Sequence, residues 1–328
     1  MKVFVTRVIP QEGIQLMEAA GISVTLWKEK RNITQDELIA ACKSMDALVV
    51  AGAVDVNAVF LNECRHLKLI ALHSVGYDNV DVPAATKLKI PIGNTPGVLS
   101  GATADTAFLL MLATSRKAFY QHTKIAAGEW GVFEPTGDLG IELYGRTLGI
   151  FGLGKIGFEM AKRCKYAYNM NIIYHNRSNN AEAEKELNAV KVSFDELLGQ
   201  SDVLSVHTSL NAETRDKFNR EVFAKMKPSS IFINTARGPI HNEKDLTEAV
   251  QNGIIWGAGL DVTNPEPMHS DNPLLHMPTV CVLPHIGSAT VETRNAMSRL
   301  AAENIIAGLK GERIPYPVNP EVYDARIS

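Results

Sequence analysis

Ten residues, Leu148–Gly157 (LGIFGLGKIG), constrain this chain more than any others. Gly152, Gly154 and Gly157 form a G-x-G-x-x-G pattern directly after a strand-like run, Arg146–Phe151, and open a helix-like run that reaches Tyr168. Each glycine has its own physical reason. The first permits a tight turn, the second lets backbone come close to a pyrophosphate, and the third lets the helix pack on its strand. The new helix then offers unbonded N–H groups and the positive end of its dipole to an anion. The pattern alone is a weak signal. The strand before it, the helix after it and a second strand at Asn171–Tyr174 make it a dinucleotide-binding βαβ unit.

The remaining chain is consistent with that setting. Its 328 residues suit about two domains of roughly 150 residues. With 45% hydrophobic and 21% charged residues it has the composition of a globular protein, which excludes a disordered tail, a collagen or a coiled coil. The net charge of −3 gives no basic excess for nucleic acid, and no basic amphipathic stretch invites a membrane surface. The apolar run Ala107–Ala113 falls far short of the about 20 residues of a membrane span. Met1–Arg7 reads as a first strand, too broken by charge for a signal peptide. Cys42, Cys64, Cys164 and Cys281 have no metal-ligand spacing and read as small buried hydrophobes, so a reduced, cytoplasmic protein without metal is expected.

Strand-like and helix-like segments alternate twice. The first series holds strands at Lys2–Val8, Ile22–Trp27, Ala47–Val50 and Lys68–Leu72, with helices after Pro10, after the capping box Thr34-x-x-Glu37, and over Asp55–Cys64. From Leu99 to about Ala127 the pattern predicts one long, apolar connector helix. The second series holds strands at Arg146–Phe151, Asn171–Tyr174, Val203–His207, Ser230–Asn234, Trp256–Leu260 and Val280–Leu283, and an amphipathic helix Val291–Leu309 follows. Such a βαβ rhythm predicts α/β architecture with parallel sheets.

Nineteen positions after Gly157, where NAD-binding folds place a carboxylate for the ribose 2′-OH, stand Asn176, Arg177 and Ser178. A carboxylate would repel a 2′-phosphate, whereas a guanidinium pairs with it bidentately. NADP(H) is therefore the expected cofactor. Stacking of Arg177 on adenine would leave NAD(H) usable as well.

Three segments end strands with reactive side chains: INTARG at Arg237, LDVTNPEP around Glu266, and LPHIGSAT at His285. Ligands of open α/β sheets bind outside the carboxyl ends of the strands, where all three would lie. Together with the glycine loop, the segments NTARGP (234–239), GLDVTNPEP (259–267), PHIGSATVETR (284–294) and the tail 295–311 resemble the D-isomer-specific 2-hydroxyacid dehydrogenase family, most closely its glyoxylate/hydroxypyruvate reductase branch.

That resemblance implies reduction of a small 2-oxo acid to its D-2-hydroxy acid. Arg237 would hold the substrate carboxylate and carbonyl, and His285 would protonate the oxygen. Glu266 would orient the imidazole and favour its charged form. Val75 and Gly76, in a turn that also reads as a simple tight turn, would give an anion nest for the carboxylate. Ser288 and Trp130 join the expected substrate contacts, Trp130 reaching from a partner subunit or packing at an interface. Leu153, Gly154, Lys155 and Ile156 would face the pyrophosphate, Thr235, Ala236 and Arg237 the nicotinamide, and Asp261 its carboxamide. Thr103 and Gly287 would also meet the cofactor. His207, Thr208 and Thr214 would lie near the adenosine, although Ser209 replaces the family's usual proline there.

The expected organisation is thus a Rossmann domain, residues 100–287, inserted into a flavodoxin-like substrate domain made of 1–99 and 288–328. An exposed apolar arm around 120–144 suggests a homodimer. Rival readings are a 2-ketogluconate reductase, which shares the Asn-Arg type of discriminator, and a dinucleotide-sensing corepressor-like binding protein.

Overall fold

The computed structural model describes residues 1–324. Its contacts divide the chain into two units, Met1–Leu99 with Ala289–Ser328, and Ser100–Ser288.

In the first unit β1 (Lys2–Val5), β2 (Ser23–Leu26), β3 (Ala47–Val50), β4 (Leu69–Leu72) and β5 (Ile92–Gly93) pair in parallel in the order β2-β1-β3-β4-β5. The central strands ALVV and LIAL are buried at every residue. Helices on both faces of a parallel sheet require such runs instead of an alternating pattern. The helices are α1 (Gln11–Ala19), α2 (Gln35–Cys42), α3 (Ala58–Glu63) and α4 (Val82–Lys87). Thr34 and Glu37 close the anticipated capping box on α2.

The C-terminal helix, Val291–Leu309, completes this unit against α1, β3 and β4. Ser298 Oγ accepts from the Gly13 N–H at 3.2 Å and donates to the Pro10 carbonyl at 2.8 Å. Buried Asn304 donates to the Asn94 carbonyl and accepts from the Tyr316 N–H. The expected amphipathic helix is therefore buried on several sides, with polar groups bonded inside the core.

The second unit opens with α5 (Ser100–Ser115) and α6 (Ala118–Ala126), then β6 (Thr147–Phe151), α7 (Lys155–Tyr168), β7 (Asn171–His175), α8 (Ala181–Leu187), β8 (Val190–Lys191), α9 (Phe194–Gln200) and β9 (Val203–Val206). It continues with α10 (Arg220–Phe223), β10 (Ile231–Asn234), α11 (Glu243–Gln251), β11 (Gly257–Leu260) and β12 (Val280–Val282). The seven strands are parallel in the order β12-β11-β10-β9-β6-β7-β8. The chain runs outward from β6 to β8, then returns to the other flank of β6 at β9. The point where the order reverses, between β6 and β9, is where ligands of doubly wound sheets sit.

The single connector helix expected over Leu99–Ala127 is in fact two. Lys117 adopts a left-handed conformation (φ 54°) between α5 and α6. The cause lies outside the local sequence. The Ser115 carbonyl accepts from the Ile141 N–H at 2.9 Å, so the returning segment takes an acceptor that a continuous helix would use. Among the described residues no helix is long and apolar enough to cross a membrane.

Burial lowers the pKa of His73 and of His241 to about 4, so both are neutral in the fold. Unfolded imidazoles titrate near 6.5. Between those values the unfolded chain takes up protons that the folded chain does not, so stability is lost as pH falls through this window. The melting temperature should therefore be lower at about pH 4.5 than at about pH 7.5, and His241→Gln should narrow the gap. A gap equal in wild type and variant would contradict this account of His241.

Candidate active site

The glycine turn follows β6. Gly152 has φ 96°, and a Cβ there would stand 2.7 Å from the Thr208 nitrogen and 2.9 Å from the His207 carbonyl carbon. A Cβ on Gly157 would come within 2.9 Å of the Gly152 carbonyl oxygen. The His207–Thr208 backbone and the first turn of α7 thus press on the loop from two sides. Gly154 is the N-cap of α7, no side chain caps it, and nothing lies within 4 Å of where its Cβ would be. The start of α7 therefore has neither a capping side chain nor a substituent on Gly154 over it, as an anion-binding helix start requires.

The structure gives Leu153 and Asn176 a different relation from the one expected. Asn176 Oδ1 accepts from the Leu153 N–H at 2.7 Å, and its Nδ2 donates to the Leu153 carbonyl at 3.2 Å. Asn180 Nδ2 donates to the same carbonyl at 3.0 Å. The Leu153 amide is therefore engaged within the protein, and Asn176 braces the turn with both ends of its carboxamide. Sequence reading passed over Asn180, whose only signal was its place as N-cap of α8.

Arg177 and Ser178 are exposed after β7, and Arg177 Nη2 lies 2.7 Å from Glu213 Oε2. Lys191, also unanticipated, donates from Nζ to the Arg177 carbonyl at 3.2 Å and to Asn179 Oδ1 at 3.1 Å. In the loop after β9, His207 Nε2 bonds Ser205 Oγ at 2.8 Å, and burial pushes the His207 pKa down to about 4. The Thr214 hydroxyl closes its own loop, accepting from the Asn211 N–H and donating to the Ser209 carbonyl, both at 2.8 Å.

The reactive segments occupy the neighbouring carboxyl ends of β10, β11 and β12, where Asn234 pairs with Leu260 and Leu260 with Val282. Asn234 builds the first turn from inside. Its Oδ1 accepts from the Ala236 N–H at 3.0 Å, and its Nδ2 donates to the Arg237 carbonyl at 2.9 Å and to His241 Nδ1 at 3.0 Å. Arg237 then donates from Nη1 to the Ala236 carbonyl at 2.6 Å. Gly238 follows with no room for a side chain, because its Cβ would overlap the Thr263 carbonyl. The loops carrying Arg237 and Glu266 touch there.

Asp261 joins the second loop to the third. Its two oxygens accept from the Ile286 and Gly287 N–H groups, each at 2.7 Å. Desolvation raises its pKa against those two donors. The expected link from Asp261 to a carboxamide thus competes with a role visible here, the anchoring of the His285 loop. A Cβ on Gly287 would stand 2.9 Å from Asp261 Oδ2 and 3.3 Å from Thr103 Cγ2, so Thr103, Asp261 and Gly287 form one cluster. Ser288 comes next and belongs to the same unit.

His285 is held in the left-handed region (φ 54°), uncommon for a residue with a side chain and often found at functional sites. Its Nδ1 meets Glu266 Oε1 at 2.5 Å, which leaves Nε2 for a reacting atom. Burial alone would raise the Glu266 pKa. The hydrogen bond and charge of His285, the Thr263 backbone and the Arg237 charge outweigh it and hold the carboxyl below its usual range. An ionised Glu266 accepts at Nδ1 and so fixes the orientation of the ring.

The other two expected groups belong to other segments of the chain. Val75 and Gly76 follow β4 in the first unit, where their carbonyls accept from Asn94 and Ser74. Trp130 stands in the segment between α6 and β6 and is 76% exposed, beside Val132 at 82% and Phe133 at 88%.

A dinucleotide fits these residues. Besides the uncapped start of α7, Thr235 is 8% exposed and its buried hydroxyl has no hydrogen-bond partner among the described residues. A buried hydroxyl of that kind calls for a ligand or water. Fold and site together define an oxidoreductase that uses a nicotinamide dinucleotide. The chain belongs to the D-isomer specific 2-hydroxyacid dehydrogenase family, whose NAD binding domain model matches residues 108–287. It is 42% identical to a glyoxylate reductase of Pyrococcus furiosus, over 99% of this chain and 97% of that one. It is 43% identical to glyoxylate/hydroxypyruvate reductase B of Salmonella schwarzengrund over 83% and 84% of the two chains. An NADPH-dependent glyoxylate/hydroxypyruvate reductase of Sinorhizobium meliloti, solved with NADP and malonate, superposes with a TM-score of 0.85 at 31% identity, covering 97% of each chain. The protein is an NAD(P)-dependent D-2-hydroxyacid dehydrogenase.

Gly238→Ala should lower kcat about tenfold or more by pushing the Arg237 and Glu266 loops apart, with a measurable loss of melting temperature. Glu266→Gln should lower kcat about tenfold or more, because His285 Nδ1 loses the carboxylate that orients the ring. A kcat within about twofold of wild type would refute the orienting role of Glu266.

Proposed function

We propose that the chain reduces glyoxylate or hydroxypyruvate to the corresponding D-2-hydroxy acid, with NADPH as the preferred reductant. The observation that carries this reading is the 2.5 Å pair of His285 Nδ1 with Glu266, one loop away from Arg237. When bound, the reduced nicotinamide supplies a hydride for C2 of the oxo acid. Arg237 presents a fork of donors to the carboxylate and carbonyl. The His285 imidazolium donates its Nε2 proton to the carbonyl oxygen as negative charge develops there. Glu266 keeps that ring oriented, and in the oxidative direction the neutral imidazole takes the proton back. In the first unit neither the Val75 nor the Gly76 N–H donates a hydrogen bond among the described residues, so this turn has donors to offer an anion.

Several observations support the choice of cofactor. No carboxylate stands at position 176, Arg177 follows β7 with Lys191 Nζ bonded to its carbonyl, and the related Sinorhizobium reductase is named for NADPH. The exposed apolar cluster Trp130, Val132 and Phe133 supports assembly with a second copy of the chain.

NADPH oxidation should be fast with glyoxylate and hydroxypyruvate and slow with 2-ketogluconate. The reverse order would move the assignment to a sugar-acid reductase, and turnover of none of the three would leave a binding protein. His285→Gln should cut kcat by about 10² to 10⁴ while cofactor affinity stays intact.

A further inference from the structure

The Arg177 guanidinium already has a partner, and that partner is an anion. Glu213 Oε2 sits 2.7 Å from Arg177 Nη2. The two residues come from loops that follow β9 and β7, the strands on either side of β6 and its glycine turn. Glu213 is not placed by a wandering segment. Asn211 Oδ1 accepts from the Glu213 N–H at 2.9 Å and from the Thr214 N–H at 3.1 Å, and the Thr214 hydroxyl bonds back to the Asn211 N–H. On the other side Lys191 bonds the Arg177 carbonyl and so steadies the backbone that carries the exposed guanidinium.

The usual place for a discriminating carboxylate is position 176, where Asn176 is turned onto Leu153. Glu213 brings a carboxylate to the same edge from the neighbouring loop. We propose that Glu213 is a specificity-determining residue for the cofactor: it holds the Arg177 guanidinium until a 2′-phosphate displaces it. This rests on the reading of Arg177 as the 2′-phosphate ligand. A 2′-phosphate must break the Arg177–Glu213 pair and then lie close to a like charge. A 2′-hydroxyl does neither, and a carboxylate accepts its hydrogen bond. Glu213 therefore weakens NADPH binding and spares NADH, which makes the enzyme less selective than Arg177 and Lys191 alone would.

The test is direct titration of wild type, Glu213→Gln and Arg177→Ala with NADPH, NADH and the fragments 2′,5′-ADP and 5′-AMP, followed by calorimetry. Glu213→Gln keeps the side chain's size and removes its charge. It should tighten NADPH and 2′,5′-ADP by about three- to tenfold, the scale of an exposed ion pair plus the relief of one like charge. NADH and 5′-AMP should bind no more tightly than before. Tightening of less than about twofold for 2′,5′-ADP, or equal tightening of 5′-AMP, would overturn the proposal and reduce the pair to an ordinary surface contact. Arg177→Ala separates the two ideas. It should weaken 2′,5′-ADP and leave 5′-AMP alone. If 2′,5′-ADP binding is unchanged in that variant, the reading of Arg177 has failed and the role of Glu213 falls with it. If Arg177→Ala behaves as expected and Glu213→Gln does not, only the role of Glu213 is lost.

Discussion

Parallel strand pairing is the constraint on which the rest of this protein depends. In a sheet built from βαβ crossovers every strand points the same way, so every strand end reaches the same edge. That is how Gly152, Arg177, Arg237, Glu266 and His285, spread over more than a hundred residues of sequence, come to the carboxyl ends of β6, β7, β10, β11 and β12. The sheet needs only buried apolar strands, so the loops are free to carry chemistry. Reactive side chains appear just where the hydrophobic runs stop.

Holding those loops in place takes backbone geometry that ordinary residues resist. Gly152, Gly157 and Gly238 each lie where a side chain would strike neighbouring backbone, and His285 has a positive φ without being glycine. The compensation comes from buried or half-buried polar groups beneath the edge. Asn234 shapes the Arg237 turn, Asp261 holds the backbone after His285, and Asn176 with Asn180 grips Leu153. All four are short side chains whose partners are mainly backbone atoms, which makes the loops rigid before any ligand arrives and lowers the ordering cost of binding.

What could be read from the sequence follows the range of the interactions involved. The glycine turn, the capping box on α2 and the strands of both series are local in character and were legible. The family's motifs pointed to the Arg–Glu–His set because each member sits in a short segment of its own. The break at Lys117 was not legible, since its cause is a hydrogen bond from Ile141 and no breaker residue marks it. The bracing role of Asn176 was hidden for the same reason, its partner Leu153 being 23 positions away. The two-residue strands β5 and β8 are too short to show any period. Nothing in the sequence singles out Glu213, which the fold lays against Arg177 from 36 positions away.

The hydrogen bond between the Ser115 carbonyl and the Ile141 N–H has one more consequence. It brings together the two ends of an excursion of some 25 residues, residues 116–140, and Gly140 packs against the same carbonyl. Between those ends α6 packs back on β12, and residues 127–140 are exposed throughout. Closing a longer or shorter loop across such a gate changes the entropy only slowly with length. Evolution can therefore lengthen, trim or redecorate this stretch while β6 and its glycine turn stay in register, and relatives should differ there in length more readily than anywhere along the strand edge.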